Sequence, residues 1–517
     1  MSAIVEISTG SIAGSESDGV QSFKGIPYGA STAGPWRFRP ARPPRSWTGV
    51  RECVEYGPSC PQITVEQMTG TAVPLEAIEY MGVLPTEPYV SEDCLALNVW
   101  TPTADTGANL PVVVWLHGGG LSTGSASWPL YDFSNLARNR QVVAVGVNHR
   151  LGILGFLDLS HLGEEYADSG NVGILDVVAA LAWIRTNIAA FGGDPANVTV
   201  FGESGGGLKT SLLLAVPSAQ GLFQKAFVMS GAMLMVHTPD RAQARADLVR
   251  EKLGLRGIED LQRVDVAALI DVEASLQTGS ALLIGSRRHF APVLAPSLPR
   301  QPQDAIASGA AADIAVVSGC TTDEMLSFMM SDPDLWTMDD AGLRSRLGPV
   351  LGADLDRVLD GYRSMRVDES PTSLLIAIAS DATMRIPHLR LNEAKLRGGG
   401  APVWSYLFAW GHPDPTGRIR SGHGSDMPYF FDNVDKAPIA AGTHAGPLTA
   451  AMSGALASLA HTGDPGHSGI PAWPSYDLDG RVTMWFDVPP KLETDPYGPE
   501  RRCWDGIKLG LASASSA

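Results

Sequence analysis

The chain has 517 residues, enough to bury a large core, and a globular composition of 44% hydrophobic and 18% charged residues. A net charge of −17 sets it against nucleic acid and anionic membrane, both of which would repel such a surface, so neither is expected as a partner. Five scattered cysteines without Cys-x-x-Cys or His-Glu-x-x-His exclude a disulfide scaffold and give no support to a metal centre; no metal is expected.

Met1 to Gly14 has no basic, apolar leader pattern, which makes the cytoplasm the default expectation. The first hundred residues are turn-rich, as in Gly25-Ile26-Pro27-Tyr28-Gly29 and Ala41-Arg42-Pro43-Pro44, and predict hairpins and surface loops rather than βαβ units. Val112 to Leu116 then predicts a strand running into His117-Gly118-Gly119-Gly120. Val142 to Val147 runs into Asn148-His149-Arg150, and Leu175 to Ile188 carries Leu181, Ile184 and Ile188 at helical spacing. The stretch from Val172 to Ile184 is the most apolar, but Asp176 within it marks a helix of a soluble domain rather than a membrane span.

Val198 to Phe201 leads into Gly202-Glu203-Ser204-Gly205-Gly206. Ile314 to Val317 precedes Gly319 to Glu324, and Val403 to Phe408 precedes the loop holding His423. Arg241 to Leu276 and Asp339 to Leu359 mix Leu and Val with Arg and Asp and predict helical insertions over the sheet. Apolar strands alternating with helices predict an α/β fold with a large, mostly parallel sheet covered on both faces. With no repeat and no dividing linker, residues 1–517 are expected to form one elaborated domain, and a monomer.

Ligands on such sheets bind beyond the carboxyl ends of the strands, where these loops lie. Gly202-x-Ser204-x-Gly206 directly after a strand predicts a sharp strand-to-helix turn that lifts the serine hydroxyl clear of the sheet. A serine needs a base to take its proton; among the chain's eleven histidines, His423 follows a late strand, which suits the order serine, acid, histidine. The imidazole needs a carboxylate to fix its tautomer, and Glu324 or its neighbour Asp323 could supply it. Negative charge on an attacked carbonyl oxygen requires preorganised N–H groups; the His117-Gly118-Gly119-Gly120 loop could offer two and Gly205 a third. Together these point to acyl transfer through a serine.

At these residues the chain resembles the type-B carboxylesterases, the family of the bacterial para-nitrobenzyl esterases and the cholinesterases, within the α/β-hydrolase superfamily. The resemblance runs almost end to end: Phe23-x-Gly25-Ile26-Pro27-Tyr28, Arg37-Phe38, Glu92-Asp93-Cys94-Leu95-x-Leu97-Asn98-Val99-Trp100, Asn148-His149-Arg150-Leu151-Gly152, Asn187 to Pro195, the Ser204 turn, and Trp473-Pro474-x-Tyr476. It implies an esterase acting on small-molecule carboxylic esters through an acyl-enzyme, without a cofactor. By position it makes Ser204 the nucleophile, Glu324 rather than Asp323 the acid, and His423 the base. It assigns Gly119, Gly120 and Gly205 to the oxyanion hole, sets Glu203 and Ser230 beside the triad, and offers Leu121, Phe290 and Phe328 as pocket walls.

The chain also departs from that pattern. Gly205 stands for the usual alanine, Thr321 for asparagine, Met325 for glycine, His149 for tyrosine and Leu121 for phenylalanine. Met325 is expected to crowd the acid loop and reshape the pocket, which the stretch from Pro61 to Tyr89 also shapes. Cys60 and Cys94 match positions that secreted relatives join in a disulfide; in the cytoplasm they are expected as thiols. Two rival functions stand beside ester hydrolysis: attack on an amide or carbamate by the same triad, and a non-catalytic adhesion module.

Overall fold

The computed structural model describes residues 4–69, 89–276, 290–411, 418, 420–440, 442 and 444–509. Ile4–Ile7 (β1) and Gly10–Ala13 (β2) form a hairpin extended by Val50–Glu52 (β5). Ser15–Ser17 (β3) pairs with Val20–Pro27 (β4), which runs antiparallel to Ala96–Thr101 (β6). The hairpin pattern of the first hundred residues is therefore present, but its second half is built into the main sheet.

That sheet has 11 strands in the order β14-β13-β12-β11-β10-β9-β7-β8-β6-β4-β3. Its centre comprises Leu110–Leu116 (β7), Val143–Val147 (β8), Gly193–Glu203 (β9), Lys225–Met229 (β10), Ala315–Thr321 (β11), Val403–Phe408 (β12) and Val482–Phe486 (β13), paired in parallel throughout. Lys491–Thr494 (β14) closes one edge antiparallel to β13. Along β7, Val112, Val114 and Leu116 enter one apolar core while Val113 and Trp115 enter the other, as the two-residue period of a strand requires. This is why these strands read as unbroken apolar runs rather than alternating ones.

The helix Val172–Asn187 covers the first face with Val177, Leu181 and Ile184, and Ala445–Thr462 covers the second with Leu456 and Leu459. With its flanking turns the former is, among the described residues, long and apolar enough to cross a membrane; here it is packed into the core, and its Asp176 is paired with Arg150 at 2.6 Å. The insertions Asp340–Leu351 and Leu355–Met365 form a third apolar cluster with Leu374 and Trp504. Motifs far apart in the chain meet: Arg37 grips Glu92 with Nε and Nη2, and Asn98 Oδ1 accepts the Gly25 N–H at 3.0 Å.

Two strands outrun their apolar signal. β11 continues through Gly319, Cys320 and Thr321 because these pair with Tyr406, Leu407 and Phe408 of β12, and a side chain at 319 would strike the Tyr406 ring. β9 likewise holds Gly202 and Glu203 in register with Val228 and Met229, carrying the strand up to Ser204.

Candidate active site

The turn after β9 is built by its glycines. A Cβ on Gly202 would stand 2.8 Å from the Gly206 Cα, and one on Gly206 would strike the Leu116 carbonyl, so only bare backbone lets strand and helix meet here. Between them Ser204 is forced to φ 56°, ψ −119°, a conformation L-residues avoid, and its N–H is tied to Met229 O at 3.0 Å. In the run from Phe201 to Gly206, all buried otherwise, Ser204 alone is partly exposed.

Glu324 and His423 meet as expected. Glu324 ends the loop after β11 with its carboxylate fully buried: Oε1 accepts Ser230 Oγ–H at 2.6 Å and Thr321 N–H at 2.8 Å, while Oε2 faces His423 Nδ1. Burial alone would raise this carboxyl, but the imidazole and the hydrogen bonds outweigh it and hold it below the usual range. Asp323 turns away towards Arg420, 3.5 Å distant, so geometry separates the two acids. Ser230 reaches Glu324 from a left-handed backbone, φ 46°.

His423 Nε2 lies 3.1 Å from Glu203 Oε1, off the hydrogen-bond line, and neither atom has a hydrogen bond among the described residues. Ser204 Oγ is thus not bonded to Nε2 in this structure, a slack common in sites without substrate. Burial pushes the Glu203 carboxyl up to about 8. Burial opposes charge on His423, yet the Glu203 and Glu324 carboxylates outweigh it and raise the imidazole to about 9.

Gly119 and Gly120 take left-handed φ of 87° and 65°, which turns the loop after β7 back over the Ser204 turn. Gly205 opens the helix Gly205–Leu213, and its N–H, like those of Gly119 and Gly120, is not taken up by a hydrogen bond among the described residues. The three are free to point at one oxygen.

Phe328 stands with its ring centroid 4.8 Å from that of His423, a wall of the site. Leu121 is buried beside the loop, its carbonyl accepting Gly152 N–H at 2.7 Å. Phe290 is 2% exposed and packs in the main apolar core. Met325 buries its side chain in the third, helical cluster, and its N–H donates to Ser380 Oγ at 3.0 Å. Met68 went unnoticed in the sequence, where an isolated methionine gives no signal; its sulfur sits 3.4 Å from Thr123 Oγ1, over the Gly119-Gly120 turn. Most of the Pro61 to Tyr89 stretch, residues 70–88, lies outside the described residues. Cys60 and Cys94 are buried free thiols, and Cys60 Sγ accepts the Leu151 N–H at 3.3 Å.

The model of the carboxylesterase family matches residues 1–504. The para-nitrobenzyl esterase of Bacillus subtilis is 36% identical over 513 residues, covering 96% of this chain and 98% of its own. The phenmedipham hydrolase of Pseudarthrobacter oxydans is 33% identical, with 93% and 94% covered. Among solved structures, a carboxylesterase of Geobacillus stearothermophilus superposes with a TM-score of 0.84 at 33% identity, covering 97% of this chain and 99% of that one. A likeness that extends through strands, insertions and both termini of the sheet, rather than through one motif, cannot come from the Ser204 turn alone: the chain belongs to the type-B carboxylesterase family and is a serine hydrolase of carboxylic esters.

Proposed function

We propose that hydrolysis runs through Ser204, His423 and Glu324. His423 Nε2 takes the Ser204 proton as Oγ attacks the ester carbonyl, and returns it to the departing alcohol. Water, deprotonated by the same nitrogen, then releases the acid. Glu324 keeps the proton of His423 on Nδ1, leaving Nε2 as the basic nitrogen. The N–H groups of Gly119, Gly120 and Gly205 hold the oxyanion of both tetrahedral intermediates. The observation that carries this reading is the Glu324 carboxylate, sealed from water and aimed at His423 Nδ1, while Nε2 of the same ring lies 3.1 Å from Glu203, the residue before the strained, partly exposed Ser204.

Phe328 and Leu121 supply apolar walls, and the Gly118-Gly119-Gly120 turn resembles that of esterases accepting bulky tertiary-alcohol esters, which belong among the substrates to test. The para-nitrobenzyl esterase relative makes para-nitrobenzyl acetate a natural probe beside para-nitrophenyl acetate and butyrate. The purified chain is expected to hydrolyse these esters, and Ser204→Ala, folded as judged by circular dichroism, to fall to background. Equal rates in both proteins would remove Ser204 from the reaction. Matched ester and anilide substrates separate ester from amide hydrolysis, with the ester expected to be the faster.

A further inference from the structure

Beneath the oxyanion loop lies a basic cluster that the reaction above does not use. Lys209, on the helix Gly205–Leu213, is fully buried, and its Nζ is 2.9 Å from His149 Nε2. His149 Nδ1 is 2.9 Å from the Arg150 carbonyl; since a carbonyl only accepts, Nδ1 carries the proton, Nε2 is the acceptor, and Lys209 donates. The His149 ring stacks on that of His117, centroids 4.9 Å apart and planes within 10°. His117 in turn donates from Nδ1 to the Gly118 carbonyl at 2.9 Å.

That last bond matters because of peptide geometry. The Gly118 C=O and the Gly119 N–H belong to one planar trans peptide and point in opposite directions. Anchoring the oxygen therefore fixes where the N–H is aimed, and a hydrogen bond on the carbonyl also polarises the N–H into a better donor. We propose that Lys209 and His149 are positioning residues for the oxyanion hole, acting through His117 to fix the aim of the Gly119 N–H. This rests on the reading of Gly119 as an oxyanion donor.

An amine at this place is costly to bury. Its neighbours on the helix, Leu208 and Leu212, are buried and apolar, and a methionine would fill the same volume without desolvating an amine. Among the described residues no carboxylate pairs with it: Asp176 is taken by Arg150, and Glu203 abuts Gly118. Burial alone pushes the Lys209 amine down to about 7. A group that disfavours folding and touches the back of the site is placed as a functional residue would be.

The test compares the full chain with Lys209→Met, using para-nitrophenyl butyrate and the inhibitor 1,1,1-trifluoro-2-butanone, whose adduct with the nucleophile places an oxyanion in the hole. We expect kcat to fall at least about tenfold, KM to stay within about threefold, and the inhibition constant to rise by the same factor as kcat falls. His149→Phe, which keeps a ring over His117 but removes the acceptor of Lys209, is expected to change both in the same direction and serves if Lys209→Met does not fold. Retention of kcat and inhibitor affinity within about twofold, or a loss confined to KM or to thermal stability, overturns the proposal. Ser204→Ala, run alongside, keeps the two readings apart: activity surviving there defeats the proposed triad, whatever the Lys209 variant does.

Discussion

Gly205 and Gly120 touch through their backbones, so that a methyl group on Gly205 would land on the Gly120 carbonyl oxygen. The family's usual alanine at this place would have to drive the oxyanion loop away from the Ser204 turn. Gly205→Ala is therefore expected to lower kcat by about 10²–10³-fold, the scale of losing one oxyanion donor, with KM little changed. Steady-state kinetics on para-nitrophenyl butyrate would decide it, and an unchanged kcat would show that the loop yields freely.

Glu203 sits 3.1 Å from His423 Nε2 and helps to raise the imidazole to about 9. A base works only when neutral, so a raised pKa places the acid limb of the rate profile at higher pH. Glu203→Gln removes the negative charge that favours the imidazolium, the His423 pKa falls, and the acid limb of kcat/KM moves to lower pH by about one unit or more. A pH profile of para-nitrophenyl acetate hydrolysis reads this directly; a limb that stays in place, or moves up, contradicts it.

Ser230 gives Glu324 Oε1 one of its two hydrogen bonds from outside the histidine. Losing a hydrogen bond to a charged group is worth about 1.5–3 kcal/mol, so Ser230→Ala should reduce kcat by roughly 10–100-fold. Thr321 N–H still holds the carboxylate, which limits the loss to well short of that in Glu324→Gln, where the tautomer control itself goes.

Arg150 and Asp176, 2% and 0% exposed, are joined by three hydrogen bonds between the loop after β8 and the long core helix, two from the guanidinium and one from the Arg150 N–H. Breaking a buried pair by removing one member leaves a stranded charge and costs about 3–5 kcal/mol. Asp176→Asn should accordingly lower the urea midpoint at pH 7 sharply, whereas a double replacement with apolar residues of similar volume should recover much of the loss.

Ser204 and the β7 loop were legible in the sequence because glycines at fixed places after a strand have one physical use. The parallel sheet was legible because β-branched runs ending in small residues recur along the chain. Glu324 against Asp323 was settled in the sequence only by the resemblance, since adjacent acids differ only in which way the backbone turns them, and Arg420 draws Asp323 aside. The ends of β9 and β11 were hidden because Gly202, Gly319 and Thr321 lack apolar character; cross-strand pairing, not propensity, makes them strand. Lys209 was hidden for the opposite reason: a lysine in a helix normally reads as a solvent-facing residue.

The order of the central strands, β7, β9, β10, β11, β12 and β13, follows the order of the chain. During synthesis the sheet can therefore grow at one edge, each new strand covering the last. Ser204 is made with β9, but Glu324 and His423 wait for β11 and β12, so a nascent chain that stops short of β12 is inactive and ends in an unpaired strand built to be buried. Such edges recruit strands from other chains. The architecture that delivers three distant residues to one face thus also makes aggregation the natural rival of folding, and ties the protein's survival on heating to how slowly it first opens.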